Sequence, residues 1–309
     1  MTNFDLEKIV DTTDEWITTR TGIKERRVAA DGQACSELAE RAARNALEMA
    51  GVDALDLDAV IVATITGDMP FPATATFVQD RLGAKNAAAF DLSAACSGFI
   101  YGINIAHGMI ASGQMDRILV VGAEVLSKFL DWEDRSTCVL FGDGAGAAVV
   151  EGCNAQDGIL STYMKSDGAL ADLLCIPGGG SLAPFDQTTV LERSHYIKMK
   201  GDGVFKWAVR AMADSARRVV ADAGYALDDI ALYVPHQANI RIIEAVAKRL
   251  GLSMDKVVVT IGKYGNMSSA TIPVALDEWV RGGKIRRGDN VLMAAFGGGL
   301  TWGAALVEW

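Results

Sequence analysis

Two stretches of the sequence share one pattern: ARNALEMAGVDALDLDAVIVA at positions 43–63 and ARRVVADAGYALDDIALYVP at positions 216–235. Each is typical of a helix that stops at an Ala-Gly pair, followed by an acidic turn and an apolar strand. Three further pairs follow in the same order: RLG at 81–83 and 249–251, DRILVVGAE at 116–124 and DNVLMAAFG at 289–297, and GAAVVE at 146–151 and GAALVE at 303–308. Ordered matches of this kind indicate an internal duplication.

The duplication predicts two similar α/β halves, which we place at residues 1–157 and 158–309. Apolar runs such as VIVAT, ILVVGA, VVVTI and VLMAAF favour strands buried on both faces, as in a parallel-rich sheet covered by helices. The second half opens with a predicted strand, GILSTYMKSDG at 158–168, whereas residues 1–20 supply no counterpart. We therefore expect the first strand of the first half to be absent from this chain.

Composition limits the kind of protein this can be. The chain has 309 residues, of which 50% are hydrophobic and 22% charged, so a large core is available and wholesale disorder is excluded. A net charge of −10 argues against a general nucleic-acid binder. Five scattered cysteines without a CxxC pair indicate free thiols in a reducing compartment, and no apolar run of about 18 residues is present to span a membrane. We expect a cytoplasmic protein that binds neither nucleic acid nor membrane.

The segment AAAFDLSAACSGFIYG at 87–102 contains the best candidate nucleophile. An apolar strand runs to Leu92, and Cys96 follows at the turn into an apolar helix. The free N–H groups and the dipole at a helix N-terminus favour a thiolate there. The alternative interpretation is an inert buried cysteine.

Two polar residues of the second half could act on the same site. Asn266 lies in VVVTIGKYGNMSSATIP, the segment that aligns with Cys96, so a pseudo-twofold axis would place the two residues across one cleft. His236 follows the predicted strand ALYVP, and open α/β sheets bind ligands at the carboxyl ends of their strands. The glycines of FGGGLTWG at 296–303 would let backbone N–H groups approach a ligand, as an oxyanion hole requires. No cluster has the spacing of metal ligands, so we propose no metal.

Together these segments resemble the 3-oxoacyl-[acyl-carrier-protein] synthase III family, the initiating condensing enzymes of bacterial type II fatty acid synthesis. The resemblance covers nearly the whole chain and rests on DEWITTRTGIKER (14–26), FPATA (71–75), DLSAACSGF (91–99), EDRSTCVLFGDGAGA (133–147), PHQAN (235–239), YGNMSSATIP (264–273) and FGGGLTWG (296–303). It implies the five-layered αβαβα thiolase-like fold of two duplicated halves, and a homodimer. It also implies that Cys96 takes a short acyl group from acyl-CoA and that this group condenses with malonyl-ACP. No cofactor is implied, because the CoA thioester and the acyl carrier protein (ACP) are substrates.

The resemblance assigns roles to residues by their position in the matching motifs. The catalytic residues would be Cys96, His236 and Asn266, and the oxyanion hole would be the backbone N–H groups of Cys96 and Gly298. The other implied roles are CoA and pantetheine contacts for Trp16, Arg20, Arg135, Phe205 and Asn239, ACP contacts for Arg241 and Lys206, and a place in the partner subunit's pocket for Phe71.

Two features depart from the family pattern. The family begins with a short strand similar to IIGTGSYLP, and this chain starts just after it; Met267 stands where the family usually has threonine. Three other functions stay open on the sequence alone: a condensing or acyl-transfer enzyme of secondary metabolism, a thiol hydrolase, and a non-catalytic acyl-carrier binding protein. No motif distinguishes a straight from a branched acyl primer.

Overall fold

The computed structural model describes residues 1–153 and 158–309. The first half contains, in chain order, α1 (Asn3–Leu6), α2 (Asp14–Thr21), α3 (Cys35–Ala50), β1 (Ala59–Ala63), α4 (Thr74–Leu82), β2 (Ala88–Leu92), α5 (Gly98–Ala111), β3 (Arg117–Glu124), α6 (Arg135–Cys138) and β4 (Gly144–Glu151). The second half contains β5 (Gly158–Ser166), β6 (Leu174–Cys175), α7 (Gln187–Leu191), β7 (Lys198–Met199), α8 (Gly201–Asp222), β8 (Leu232–Pro235), α9 (Ile240–Leu250), α10 (Ile261–Tyr264), α11 (Thr271–Arg281), β9 (Asn290–Gly297) and β10 (Thr301–Glu308). The predicted boundary after residue 157 falls at residues 154–157, which lie outside the described residues.

Each half is built on its own four-stranded sheet. The strand orders are β2-β1-β3-β4 and β5-β10-β9-β8. In the first sheet β1 pairs parallel with β3, and β3 pairs antiparallel with β4; in the second, β8, β9 and β10 repeat this arrangement. The registers also correspond, since Ala59 lies opposite Ile118 and Leu232 lies opposite Val291. The duplication predicted from the sequence is confirmed.

Helices separate and cover the two sheets. α5 and α11 lie between the sheets, where Phe99, Ile103 and Ile272 join a core shared by both halves. α3 and α4 pack on the first sheet, and α8 and α9 pack on the second. No helix within the described ranges is long and apolar enough to cross a membrane. The layers therefore follow the order α-β-α-β-α, which confirms the expected thiolase-like fold.

Within residues 1–153 the first sheet has no counterpart of β5. In the second half β5 pairs antiparallel with β10, so β10 is hydrogen-bonded along both edges. Residues 1–12 instead form α1 and a single bridge between Thr2 and Glu25, as expected from the sequence. Among the described strands β4 pairs only with β3. A groove of about 1340 Å³ runs beside β4 and is lined by residues of α3, α5 and α11.

One apolar run predicted as a strand does not join the sheet. The run VVVTI forms only a bridge between Val257 and Tyr233. The side chain of Gln237 explains the difference, because its Nε2 donates to the Val258 carbonyl at 3.0 Å and its Oε1 accepts from the Thr260 N–H at 2.8 Å. The backbone groups of this run are thus satisfied by a side chain instead of a strand ladder.

Candidate active site

Cys96 lies at the centre of a 3-10 turn, Ala95–Ser97, that leads from β2 into α5. The residue is buried, and burial raises the pKa of its thiol to about 12. Ala95 has a φ of 45°, a left-handed conformation that is strained in a residue other than glycine. Gly297 packs against this turn so closely that a Cβ there would lie 2.6 Å from the Cys96 nitrogen. Cys96 therefore occupies the predicted strand-to-helix turn, against the end of β9.

The second half repeats this turn as Ser268–Ala270, which leads into α11. Ser268 has a φ of 47°, close to that of Ala95, so Ser269 takes the place that Cys96 has in the first half. Asn266 lies just ahead of the turn. The segment aligned with Cys96 was identified correctly, but the residue equivalent to Cys96 within it is Ser269.

Asn266 is fixed by the backbone on both sides. Its N–H donates to the Leu140 carbonyl at 2.9 Å, and its carbonyl accepts from the Gly142 N–H at 3.0 Å. The side-chain Oδ1 accepts from the Ser268 N–H at 2.8 Å. Because Oδ1 is occupied in this way, the amide NH2 group is the part of the side chain that can serve a substrate.

His236 directly follows β8 and is buried. Its backbone N–H donates to the Ala294 carbonyl at 2.8 Å, and its Nδ1 lies 2.6 Å from the Thr271 hydroxyl oxygen. Burial lowers the pKa of the imidazole to about 3, so the ring is neutral at neutral pH.

The three predicted catalytic residues converge on residues 266–271. The Ser268 N–H donates to Asn266 Oδ1, Thr271 Oγ1 lies 2.6 Å from His236 Nδ1, and the Cys96 turn packs against the Ser268–Ala270 turn. The predicted nucleophile thus comes from the first half, and the two polar side chains come from the second. Within the described part of the chain, no group of three or more His, Cys, Asp or Glu side chains is arranged to hold a metal ion.

The glycine loop after β9 brings backbone close to the thiol. Gly297 contacts the Cys96 turn, and the next residue, Gly298, packs on the Leu174 carbonyl, which a Cβ would approach to 2.8 Å. Any larger residue at these positions would push the loop away. The loop therefore presents backbone groups to the neighbourhood of Cys96, as the predicted oxyanion hole requires.

Met267, the departure noted in the sequence, is buried beside Asn266. Its side chain packs directly over Gly144, where the missing Cβ leaves room for the sulfur. The larger residue is therefore accommodated by packing, and Asn266 keeps its backbone hydrogen bonds.

Trp16 on α2 lies close to two guanidinium groups. The Arg20 and Arg135 Cζ atoms are 4.6 and 4.9 Å from the centre of its ring. Arg135 also donates to the Asp11 carbonyl at 2.7 Å, which ties α6 to the loop before α2. The resemblance assigned these three residues to one ligand, and the structure brings them together.

The other predicted contact residues lie on helix surfaces or in a loop. Asn239 caps α9, and its Oδ1 accepts from the N–H of Arg241 at 2.9 Å. Arg241 is exposed in the first turn of α9, and both Phe205 and Lys206 are exposed on α8. Phe71, in the loop between β1 and α4, is 87% exposed.

Three residues that shape the site were missed by sequence reasoning: Glu124, Ser268 and Thr271. Ser268 and Thr271 belong to the segment YGNMSSATIP, in which only Asn266 is predicted to contribute to the site. Glu124 ends the apolar run ILVVGAE, and a carboxyl group at the end of a buried strand is uncommon enough to have served as a signal.

Comparison with known proteins agrees with this site. A profile described as 3-Oxoacyl-[acyl-carrier-protein (ACP)] synthase III matches residues 90–168, and a profile described as the C terminal part of the same synthase matches residues 220–309. The beta-ketoacyl-[acyl-carrier-protein] synthase III of Clostridioides difficile (strain 630) is 56% identical over 307 residues, which are 99% of this chain and 93% of that protein.

Solved structures are also similar to this chain over its full length. The 3-oxoacyl-[acyl-carrier-protein] synthase III of Aquifex aeolicus VF5 superposes with a TM-score of 0.93 at 51% identity, covering 100% of this chain and 95% of that chain. The priming beta-ketosynthase of the R1128 polyketide pathway has a TM-score of 0.91 at 37% identity, with 100% and 92% covered. The fold and these relatives define an acyltransferase of the thiolase-fold condensing-enzyme class. Within that class the chain belongs to the beta-ketoacyl-[acyl-carrier-protein] synthase III family.

Proposed function

We propose that this enzyme starts fatty acid synthesis by transferring a short acyl group from acyl-CoA to Cys96 and condensing it with malonyl-ACP. The products are a 3-oxoacyl-ACP, CO2 and CoA. Enzymes of this family work without a resident cofactor, since the CoA thioester and ACP are substrates. The observation that carries the assignment of residues is the packing of the Cys96 turn against residues 268–270, beside Asn266 and beside Thr271, which contacts His236.

In the first step the Cys96 sulfur attacks the thioester carbonyl and the CoA sulfur leaves. Two features support Cys96 as the nucleophile: it precedes the N-terminus of α5, whose N–H groups favour a thiolate, and it faces the glycine loop. The backbone N–H groups of Cys96 and Gly298 would stabilise the tetrahedral oxyanion. Loss of one such donor costs about 2.7–4 kcal/mol in other enzymes.

In the second step malonyl-ACP loses CO2 and its enolate attacks the acyl-Cys96 carbonyl. The NH2 group of Asn266 and the imidazole of His236 donate hydrogen bonds to the malonyl thioester oxygen as negative charge develops there. This role requires the ring tautomer with its proton on Nε2, in which Nδ1 accepts from the Thr271 hydroxyl; the Ser268 carbonyl, 3.0 Å from that hydroxyl, is the other acceptor within its reach. The Cys96 thiolate then leaves and takes up a proton.

The adenine and phosphate groups of CoA would bind away from the reacting atoms. Trp16 with Arg20 and Arg135 close to it suits these groups, because the cluster combines an aromatic ring with two positive charges. Phe205 and Asn239 lie at the starts of α8 and α9, where the pantetheine arm would pass.

We assign the ACP-binding patch to Arg241 on α9 and Lys206 on α8, two exposed positive residues on neighbouring helices. ACP is strongly acidic, so an enzyme of charge −10 needs a local positive site to bind it. We further propose a homodimer in which Phe71 enters the partner subunit's pocket, since an aromatic side chain that is 87% exposed favours an interface. The free thiols of Cys35, Cys96, Cys138 and Cys175 support a cytoplasmic location.

The proposed function is tested with labelled acetyl-CoA and malonyl-ACP. The unaltered enzyme should form a labelled acyl-enzyme and then release CO2 and 3-oxoacyl-ACP. Cys96→Ala should abolish acyl transfer while malonyl decarboxylation by His236 and Asn266 persists. Cys35→Ala is the matched control, because Cys35 is an equally buried thiol outside the site and its removal should leave acyl transfer intact.

The same experiment separates the alternatives. Acyl transfer that survives in Cys96→Ala contradicts the nucleophile assignment. Acylation without condensation would favour a hydrolase or another acyltransferase, and binding of ACP without acylation would favour a carrier-binding protein. A panel of straight and branched acyl-CoA primers, run with the same assay, would identify the preferred substrate.

A further inference from the structure

The carboxyl group of Glu124 is completely buried beside the active site and has no role in the steps described so far. Glu124 is the last residue of β3. Its Oε2 accepts hydrogen bonds from the Thr66 hydroxyl at 2.6 Å, the Thr64 hydroxyl at 3.2 Å and the Ile65 N–H at 3.2 Å. The segment that follows β1 therefore occupies one carboxyl oxygen and leaves the other, Oε1, for a different partner.

The partner of Oε1 is Ser269, in the Ser268–Ala270 turn of the second half. The Ser269 hydroxyl lies 3.3 Å from Oε1 and donates to the Ala63 carbonyl at 2.8 Å. The backbone of the turn also lies directly on β3, because a Cβ at Gly122 would come within 2.4 Å of the Ser269 carbonyl oxygen. Side-chain and backbone contacts thus hold the turn against β1 and β3, the two central strands of the first sheet.

The internal duplication gives this contact a counterpart at the nucleophile. Ser269 has the place in its turn that Cys96 has in the first half, and Glu124 has the place in β3 that Gly297 has in β9. At the end of β9 the glycine puts no side chain beside the thiol. At the end of β3 a carboxyl group contacts the equivalent serine hydroxyl, so the second turn is held by a side chain where the first is not.

The backbone of the held turn orients the two groups that the proposed condensation step uses. The Ser268 N–H donates to Asn266 Oδ1 at 2.8 Å. The Ser268 carbonyl lies 3.0 Å from the Thr271 hydroxyl, which lies 2.6 Å from His236 Nδ1. Ser268 has a φ of 47°, a conformation that persists only where the surrounding structure holds it. A shift of the adjacent Ser269 would therefore misdirect both hydrogen-bond donors.

We propose that Glu124 is a positioning residue for condensation, because its contact with Ser269 fixes the turn that orients Asn266 and His236. The inference rests on the proposed function. In this role Glu124 acts through the turn and not on the substrate itself. The expected effect on rate is large, since a misplacement of about 1 Å in reacting groups can cost about 100-fold in enzymes.

The contact requires a polar atom at Oε1 but not a negative charge. Burial raises the pKa of the Glu124 carboxyl group to about 6. Because three donors bind Oε2, a proton on the carboxyl group would lie on Oε1 and would be donated to the Ser269 hydroxyl. Glutamine can copy this arrangement, with its carbonyl oxygen toward the three donors and its NH2 group toward Ser269. Methionine has a similar length but cannot form these hydrogen bonds.

The test measures malonyl-ACP decarboxylation in the Cys96→Ala background, where CO2 release depends on the two donors and needs no acylation. Adding Glu124→Met or Ser269→Ala should lower kcat about tenfold or more, with the KM for malonyl-ACP changed less than about twofold. Glu124→Gln should restore most of the rate that Glu124→Met loses. Ser215→Ala is the matched control, because Ser215 is an equally buried serine that donates to a backbone carbonyl at 2.7 Å outside the site.

Acyl transfer separates positioning from a general loss of structure. With Cys96 present, Glu124→Met should slow single-turnover acyl transfer from acetyl-CoA less than about threefold, because the thiol depends on α5 and the glycine loop. Equal slowing of both steps would overturn the inference, as would unchanged CO2 release in folded Glu124→Met and Ser269→Ala, or a loss in Glu124→Gln equal to that in Glu124→Met.

Two further outcomes keep the inference separate from folding and from the proposed function. If Glu124→Met does not fold, the comparison of Ser269→Ala with Ser215→Ala decides, and equal kcat values for CO2 release would overturn the inference. Absence of CO2 release from Cys96→Ala alone would contradict the proposed function and the inference with it. Release that the second substitutions leave unchanged would overturn only the role of Glu124.

Discussion

His236 and Cys96 are both buried, yet burial shifts their pKa values in opposite directions. Burial lowers the pKa of the imidazole and raises that of the thiol, so both groups are neutral in the resting enzyme. The imidazole is already in the form that condensation needs. The thiol is not in the form that acyl transfer needs, so the helix N-terminus must favour its ionisation during acyl transfer.

The neutral state of His236 predicts a pH profile. Because its folded pKa is lowered from 6.5 to about 3, the ring stays unprotonated from pH 8 down to pH 5. Malonyl decarboxylation by Cys96→Ala should therefore show no fall centred on pH 6.5 when CO2 release is measured over this range. His236→Ala in the same background is the control and should release little CO2. A half-maximal rate at pH 6.5 would contradict the neutral assignment.

The lowered pKa of His236 also makes the stability of the enzyme decrease as pH falls. A histidine whose folded pKa is depressed binds fewer protons in the folded than in the unfolded state, so its contribution is lost as pH falls below about 6.5 toward 3. Acid should therefore lower the free energy of unfolding as pH falls from about 6.5 toward 3, while the ring of folded His236 is still neutral.

Met267 gives a second prediction for a single residue. Met267→Thr restores the family's usual hydroxyl but empties the space over Gly144, so we expect a loss of about 2 kcal/mol in the free energy of unfolding. Condensing activity should change less than twofold, because Asn266 is held by backbone hydrogen bonds. Urea unfolding and a steady-state assay measure the two effects. Met254→Thr, at a residue that is 41% exposed, should leave stability nearly unchanged.

Sequence reasoning could find Cys96, His236 and Asn266 because each carries a distinctive functional group at the end of a predicted strand. It could not find the contact of Glu124 with Ser269, because the two residues are far apart in sequence and meet only when the halves pack. The equivalence of Cys96 and Ser269 was likewise invisible, since it depends on backbone conformation at Ala95 and Ser268.

At the scale of helices and strands, apolar periodicity predicted most of the architecture. The amphipathic stretch at Asn239–Leu250 is α9 with Asn239 as its cap, and GILSTYMKS is β5. The run VVVTI has the composition of a strand, but Gln237 satisfies its backbone groups. Hydrophobic periodicity cannot predict that a side chain takes the place of a neighbouring strand.

Helix α9 is expected to bind ACP through its first turn. Arg241→Glu should raise the KM for malonyl-ACP about tenfold, with the effect shrinking at high salt, while acyl transfer from acetyl-CoA stays unchanged. Lys248→Glu is the control, since it makes the same charge change in the last turn of the same helix. Equal effects of the two substitutions would indicate general repulsion and would place the ACP site elsewhere.

At the scale of the whole molecule, the two halves form one unit around a single site. α5 and α11 share a core between the sheets, so neither half can bury its inner face without the other. The sequence predicted two halves from a repeat, and the shared core explains why they need not act as separate domains.

The proposed homodimer gives a prediction at this scale. Phe71→Asp should shift the protein toward a monomer in sedimentation velocity at micromolar concentration, because it places a charge where an exposed aromatic side chain is proposed to be buried. Phe4→Asp, at a residue that is 61% exposed on α1, should leave the sedimentation coefficient unchanged. A Phe71→Asp variant that sediments like the unaltered protein would remove Phe71 from the interface.

The open edge of β4 has a consequence for how the molecule comes apart. Amide protons of β10 are enclosed by strands on both sides, whereas those of β4 that point away from β3 face the groove. Deuterium should therefore enter β4 faster than β10 when the folded protein is placed in heavy water. Because the two halves share a core, this difference reports local opening of β4 and not separate unfolding of the first half.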